Sequence, residues 1–266
     1  MRRQSSLARF LASAALTAIL AAGLGGCQTM SDVTGSITKP DASPDADPHR
    51  TAETYGERYR ANPKDPEAAI AYGQALRAAG QRAQAVAMLE QANLAHPGNK
   101  ALLAGYGRAL VDNGNFQQGF DVLSRAHTPE NPDWRILSVQ GTALDQLGRH
   151  DEARRYYESA LKIAPNEPSV LSNLGLSYVL SKDLPKAEET LRQAYVTGKA
   201  DARVRQNLGL VIGLQGRFAE AETIVKADLP ADEAAANVAY LKEMLSRKDS
   251  HGPATKLPVA SLSRPD

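Results

Sequence analysis

Between residues 66 and 235, small and large apolar residues return in one fixed phase. Gly73, Gly107, Gly141, Gly175 and Gly209 each follow the one before by 34 residues. Units counted from Pro66, Lys100, Trp134, Pro168 and Ala202 put these glycines at position 8. Position 11 then reads Leu76, Leu110, Leu144, Tyr178 and Ile212, and positions 4, 7 and 24 are also mostly large and apolar. Spacings of three and four residues mark one buried face of a helix, and a constant period of this length marks an array of repeats.

Each unit reads as two helices. Position 15 is Gly80, Gly114, Gly148, Lys182 and Gly216, a turn where glycine takes the positive φ that ends a helix. Position 8 lies inside an apolar-periodic stretch, where glycine costs roughly 1 kcal/mol against alanine and needs a packing reason. The small residues at position 20, Ala85, Gly119, Ala153, Ala187 and Ala221, are expected to supply it by letting the two helices cross closely. Pro97 and Pro165 at position 32 break the chain before the next unit.

Small residues at 8, 20 and 27, Gly at 15, Pro at 32 and a period of 34 together resemble the tetratricopeptide repeat. The unit 134–167, with Gly141, Gly148, Ala153, Tyr157, Ala160 and Pro165, matches best. The resemblance implies an all-α fold, an α-solenoid of five tetratricopeptide-like helix pairs with N- and C-terminal capping helices. Arg205 at position 4, Asp228 at position 27 and Asn131 at position 32 depart from the pattern. The first cap is expected at 51–61, and the second at a helix from about Asp232 whose stripe Ala234, Val238, Leu241 and Leu245 packs on the last unit. The array with its caps then spans 51–249, and a disordered tail without period spans 250–266.

The start of the chain has another character. Arg2, Arg3 and Arg9 precede an apolar run from Phe10 to Leu24, too short for a confident membrane span and fitting a secretory signal over 1–26. It ends in Leu24-Gly25-Gly26-Cys27, which resembles a bacterial lipobox, with cleavage between Gly26 and Cys27 and lipidation of Cys27. The resemblance implies more than one acyl chain, which stable anchoring requires. Gln28, where an Asp would retain a lipoprotein in the inner membrane, implies the outer membrane and a periplasm-facing chain. Residues 27–50 are polar, carry Pro40, Pro44 and Pro48, and read as a disordered tether of roughly 25–30 Å. Asp41, Asp45 and Asp47 lack the turn glycine and closing Glu of a calcium loop.

Charge and composition narrow the function. Without residues 1–26, 28 basic residues face 30 acidic ones with no basic cluster, so no nucleic-acid footprint appears. The five histidines, His49, His96, His127, His150 and His251, include no i,i+4 ligand pair, so no metal site is expected. The single thiol belongs to the anchor, and Gly105-Tyr106-Gly107 sits within a helix and is no phosphate loop. The chain is therefore read as no enzyme, with no cofactor, no small-molecule substrate and protein partners instead. Trp134 is expected to bury against unit two.

In the resembled family the first helices present the peptide-binding groove, here through positions 2, 5, 9, 12 and 13. Among these, Arg108, Arg135, Ser172, Leu176, Val179, Arg203, Gln206 and Leu210 are the candidate partner contacts. Leu176, Val179, Leu180, Leu210 and Leu214 either form an apolar partner patch or pack under the C-terminal helix. The Lys/Asn pattern that clamps a terminal carboxylate in chaperone-binding relatives is missing. The lipobox, the tether, the array and the ending Ala235-Ala236-Asn237-Val238-Ala239-Tyr240-Leu241 resemble the TadD lipoproteins of the tight-adherence (Flp) pilus and secretion system. That resemblance implies a scaffold for an outer-membrane secretin. A pilotin-like or outer-membrane-protein assembly factor of another system, and a cell-wall enzyme or its regulator, are the alternatives.

Overall fold

The computed structural model describes residues 47–197 and 201–250, which fall in two compact units divided after residue 200. The expected signal segment, Cys27, most of the tether and the tail beyond Ser250 lie outside the described residues. The first unit contains α1 (Pro48–Ala61), α2 (Pro66–Ala78), α3 (Arg82–Ala95), α4 (Lys100–Asp112), α5 (Phe116–Ser124), α6 (Trp134–Gln146), α7 (His150–Ile163), α8 (Pro168–Leu180) and α9 (Leu184–Val196). The second contains α10 (Ala202–Leu214), α11 (Phe218–Val225) and α12 (Ala231–Ser250). Among the described residues the only strand-like pairing is an isolated bridge between Thr128 and Asn131. The architecture is the expected all-α solenoid of helix pairs.

Every first helix is started by the residue before it. Asp65, Asn99, Asp133, Glu167 and Asp201 accept hydrogen bonds from the backbone N–H of Glu67, Leu102, Arg135, Ser169 and Val204. Such caps satisfy donors that the helix cannot, at about 1 kcal/mol each. Every first helix also ends alike. The N–H groups of Gln81, Asn115, Arg149, Asp183 and Arg217 reach back to the carbonyls of Leu76, Leu110, Leu144, Tyr178 and Ile212 at 2.8–3.1 Å. That bond closes a Schellman turn and needs a left-handed residue before it. Gly80, Gly114, Gly148 and Gly216 provide it at φ 73–89°, and Lys182 does so at φ 64°.

The packing reason for the position-8 glycines differs from the expected one. A Cβ on Gly73, Gly107, Gly141, Gly175 or Gly209 would lie 2.5–2.6 Å from Leu89, Leu123, Tyr157, Leu191 or Val225 respectively. All five are position 24 of the second helix. The glycine is thus a socket for a large side chain from the partner helix. The small position-20 residues are indeed buried, Ala85, Ala153, Ala187 and Ala221 at no more than 1% exposure. Backbone also comes close at this crossing in two units: a Cβ on Gly119 would lie 3.0 Å from the Gly107 carbonyl oxygen, and one on Gly209 would lie 3.4 Å from that of Ala221.

Within the first unit each helix packs on its chain neighbours, and α2, α4, α6 and α8 also pack on one another. One apolar core runs from Ala52 to Ala143, and a second, around Tyr157, joins Leu137, Leu144, Ala153, Ala160, Val170 and Leu174. Phe120 touches both. Trp134 packs with the second core, in units three and four, where the sequence had placed it against unit two. The capping helix α1 begins at Pro48, so residues 48–50, expected in the tether, are helical. Asp47 caps it and Pro48 occupies its first turn, where a missing N–H costs nothing.

In unit two of the array, α5 is 9 residues long, against 14 for α3 and α7. Residues 125–133, with Pro129 and Pro132, replace its last turns with irregular chain. In the second compact unit, Arg205 and Asp228 meet as a two-pronged ion pair, Nε to Oδ2 at 2.5 Å and Nη2 to Oδ1. The two departures from the repeat pattern therefore answer one another across the helix pair. Ala234 is buried and Val238, Leu241 and Leu245 are half-buried, as is Met244, while the other described side chains of α12 are exposed. Leu241 comes within 2.5 Å of a Cβ placed on Gly213, so α12 packs on α10.

Candidate functional site

The face built by α2, α4, α6 and α8 carries the candidate contacts of the first unit. Much of it is spent on holding neighbouring repeats together. The Arg77 Nε donates to Asp112 at 2.6 Å, joining α2 to α4. The Asn173 amide donates to Ser138 Oγ at 3.1 Å and the Ser177 hydroxyl to Asp145 Oδ1 at 2.8 Å, joining α8 to α6. Each pair lies 32 to 35 residues apart, about one repeat.

Asp145 is the centre of a closed polar knot. It is 7% exposed and also accepts from the Tyr157 hydroxyl at 3.0 Å and pairs with His150 Nδ1 at 2.9 Å. Burial pushes its carboxyl above the usual range, against the His150, Ser177 and Tyr157 bonds that pull it down. The Tyr157 hydroxyl is pushed well above its usual value, first by burial and then by the charge of Asp145. With both Asp145 oxygens engaged inside the fold, this knot is structural.

Arg108, one repeat earlier on the same face, is the opposite case. Its side chain is 5% exposed, yet Nε and Nη2 are buried without a hydrogen-bond partner. Burial, then the nearby Arg77 charge, lower it to about 10, offset in part by Asp133 and opposed again by Arg135. Arg135 is half-buried, its guanidinium 4.4 Å from the centre of the Trp134 ring and its Nε likewise buried and unpartnered. Asp133 is occupied as the cap of α6, bonding the Arg135 N–H at 2.7 Å. Asp112 is held by Arg77.

A cavity of about 270 Å³ opens beside α4, between Lys100, Ala101 and Ala104, the segment through His127, Thr128 and Asn131, and Asp133 with Ile136 at the start of α6. Its wall exists because α5 stops early. His127 is held at 3.2 Å from Gln140, which in turn donates to Ser124 at 3.0 Å.

The remaining expected contacts divide. Ser172 is fully buried and Val179 is 7% exposed, so both pack between helices and offer no surface. Leu176 is half-buried in the first unit, and Arg203, Gln206 and Leu210 are half-buried in the second. The sequence reading missed the Asp145 knot and the row of caps at position 34. The caps were visible as Asp, Asn, Asp, Glu and Asp recurring in phase. Among the described residues no group of three or more His, Cys, Asp or Glu is placed to hold a metal, and no helix is long and apolar enough to cross a membrane.

Residues 135–195 match the family described as tetratricopeptide repeat, and residues 45–126 match that of anaphase-promoting complex, cyclosome, subunit 3. The fold is that of a tetratricopeptide-repeat array. The chain is 32% identical over 102 residues to the y4yS protein of Sinorhizobium fredii, covering 38% of this chain and 56% of that one. It is 23% identical over 142 residues to the BBSome complex member BBS4 of Bos taurus, covering 53% of this chain and 27% of that one. The chain thus spans about half or less of these relatives. Among solved tetratricopeptide-like structures, the Cut9–Hcn1 hetero-tetramer of the APC/C superposes with a TM-score of 0.62 at 16% identity, over 77% of this chain and 41% of that one. PilW, a type IV pilus biogenesis factor, does so with 0.62 at 17% identity, over 73% and 91%. PilF of Pseudomonas aeruginosa gives 0.54 at 16%, over 75% and 90%. At these identities the likeness is one of fold.

Proposed function

We propose that this tetratricopeptide array is a lipid-anchored, periplasm-facing scaffold of the outer membrane that holds protein partners while a tight-adherence (Flp) pilus or secretion pore is assembled. The observation that carries this reading is the Leu24-Gly25-Gly26-Cys27 motif placed ahead of the repeats. Two acyl chains on Cys27 would hold the chain at a bilayer, and the segment from Gln28 to Asp47 would let the array reach a pore beside it. Stacked helix pairs offer a long face for polypeptide and no enclosed pocket for chemistry. A secretin is the expected partner.

A second reading, a pilotin-like factor of type IV pili, is favoured by the likeness in fold to PilW and PilF. Two experiments test the proposal. Cys27→Ser is expected to leave the protein unprocessed or released from the membrane while its helical circular dichroism is unchanged; unaltered processing and fractionation would remove the anchor. A crosslinked pulldown from envelopes is expected to recover a tight-adherence secretin, and recovery of a type IV pilus secretin alone would favour the second reading.

A further inference from the structure

Arg108 poses a question that the fold alone does not answer. A buried guanidinium with unpartnered N–H groups is costly, and a protein that needed only to fill that space would do better with an apolar side chain of the same volume. Its neighbourhood makes the cost greater. Arg77 and Arg135 add like charge, while the two nearby carboxylates, Asp112 and Asp133, are engaged by Arg77 and by the α6 backbone. Of these three guanidiniums, a carboxylate of the face answers Arg77 alone.

The atoms left over say what would answer it. Nε and Nη2 form one edge of the guanidinium, the edge that takes the two oxygens of a carboxylate side by side. The same molecule uses that edge this way twice. Arg149 donates from Nε and Nη2 to the two oxygens of Glu152 at 2.8 and 2.7 Å, and Arg205 grips both oxygens of Asp228. Among the described residues, Arg108 is the one in which both atoms of that edge are buried and unpartnered.

We propose that Arg108, flanked by Arg77 and Arg135 on the first-helix face, is a carboxylate-binding site that takes an acidic side chain of a partner polypeptide. The inference rests on the scaffold reading and gives that scaffold's partner a chemistry: an acidic residue in an extended segment. The surroundings fit a peptide better than a free anion. One and two turns before Arg108, Ala104 and Ala101 lie on the same side of α4 and line the 270 Å³ cavity, together with Thr128, Asn131 and Ile136. Small side chains beside the acidic residue have room there. Charge complementarity decides the occupant, since the surplus on this face is positive and desolvated.

The test is titration calorimetry on the full chain with three peptides: hexaglutamate blocked at both ends, hexaglutamine blocked at both ends, and a neutral hexapeptide with a free C-terminal carboxylate. Blocked hexaglutamate is expected to bind at least about tenfold more tightly than hexaglutamine. Arg108→Met, which keeps the volume, is expected to abolish that preference while the melting temperature stays level or rises, and Arg108→Lys, charged but without the fork, to lose most of it. No preference in the wild-type chain, or a preference that survives both substitutions, overturns the proposal. So does a fall in melting temperature with binding intact, which would make Arg108 a packing residue. Tighter binding by the free C-terminus, or displacement of hexaglutamate by equimolar inorganic phosphate, overturns the acidic side chain as the occupant. A secretin captured equally by wild type and Arg108→Met would remove this site and leave the scaffold standing.

Discussion

Arg108 and Asp145 stand one repeat apart, both on first helices and both almost fully buried, yet their surroundings differ in kind. Asp145 is met by a tyrosine, a serine and a histidine, drawn from its own helix pair and the next. Arg108 is met by like charges and by carboxylates already engaged. The difference traces to the second helices. In repeat three, α7 runs its full length and brings Tyr157 under Gly141 and His150 beside Asp145. In repeat two, one period earlier, the same two positions of α5 are Phe116 and Leu123, which carry no polar group. A buried charge satisfied from within marks a joint of the fold. A buried charge left over marks a place for something else.

Breaking the knot of repeat three should cost most. Gly141→Leu drives a side chain into the Tyr157 ring, where even a Cβ would lie 2.5 Å from Cε1. Denaturant unfolding should show a loss of about 3 kcal/mol, from overpacking and from the displaced hydroxyl together. An unchanged midpoint would contradict the socket. Asp145→Ala should cost about 2 kcal/mol, since Tyr157 and Ser177 lose a charged acceptor in a buried setting. Arg108→Met should go the other way, level or up to about 1 kcal/mol more stable; loss of stability there would erase the contrast between the repeats.

The smallest effect is one of pH. Because burial raises the Asp145 carboxyl, the folded chain binds that proton more tightly than the unfolded one between the usual value and the raised one. The penalty of holding the charged form is then full above the raised value and is relieved as pH falls through it. Compared with Asp145→Asn, the wild-type chain should gain stability as urea midpoints are taken from neutral pH down to about 4. A flat difference would mean that the hydrogen bonds cancel burial, and a loss of stability towards low pH that they outweigh it.

The repeat phase, the paired helices and the turn glycines were legible because backbone conformation and period leave their mark on single residues. Lys182 shows the limit: the left-handed turn persists there without glycine, supported by the same Schellman bond. The partner of the position-8 glycines was not legible. Which side chain crosses a glycine depends on the angle between helices, and the large residue at 24 won over the small one at 20. The start of α1 was misread because Asp47-Pro48 serves equally as linker and as cap with first turn. The candidate site was legible only as a face. Ser172 and Val179 share its period but are buried, and the isolation of Arg108 depends on what lies near it in space.

The ion pair between Arg205 and Asp228 limits how freely the repeats could be exchanged. Elsewhere the corresponding positions hold Ala or Leu against Ala, an apolar seam. A chimaera joining the first helix of repeat five to the second helix of repeat three would set Arg205 against Ala160, and the reverse graft would strand Asp228 facing Leu137. These helix pairs look alike in outline but are keyed, and recombination within this chain would succeed only where both halves of a key travel together.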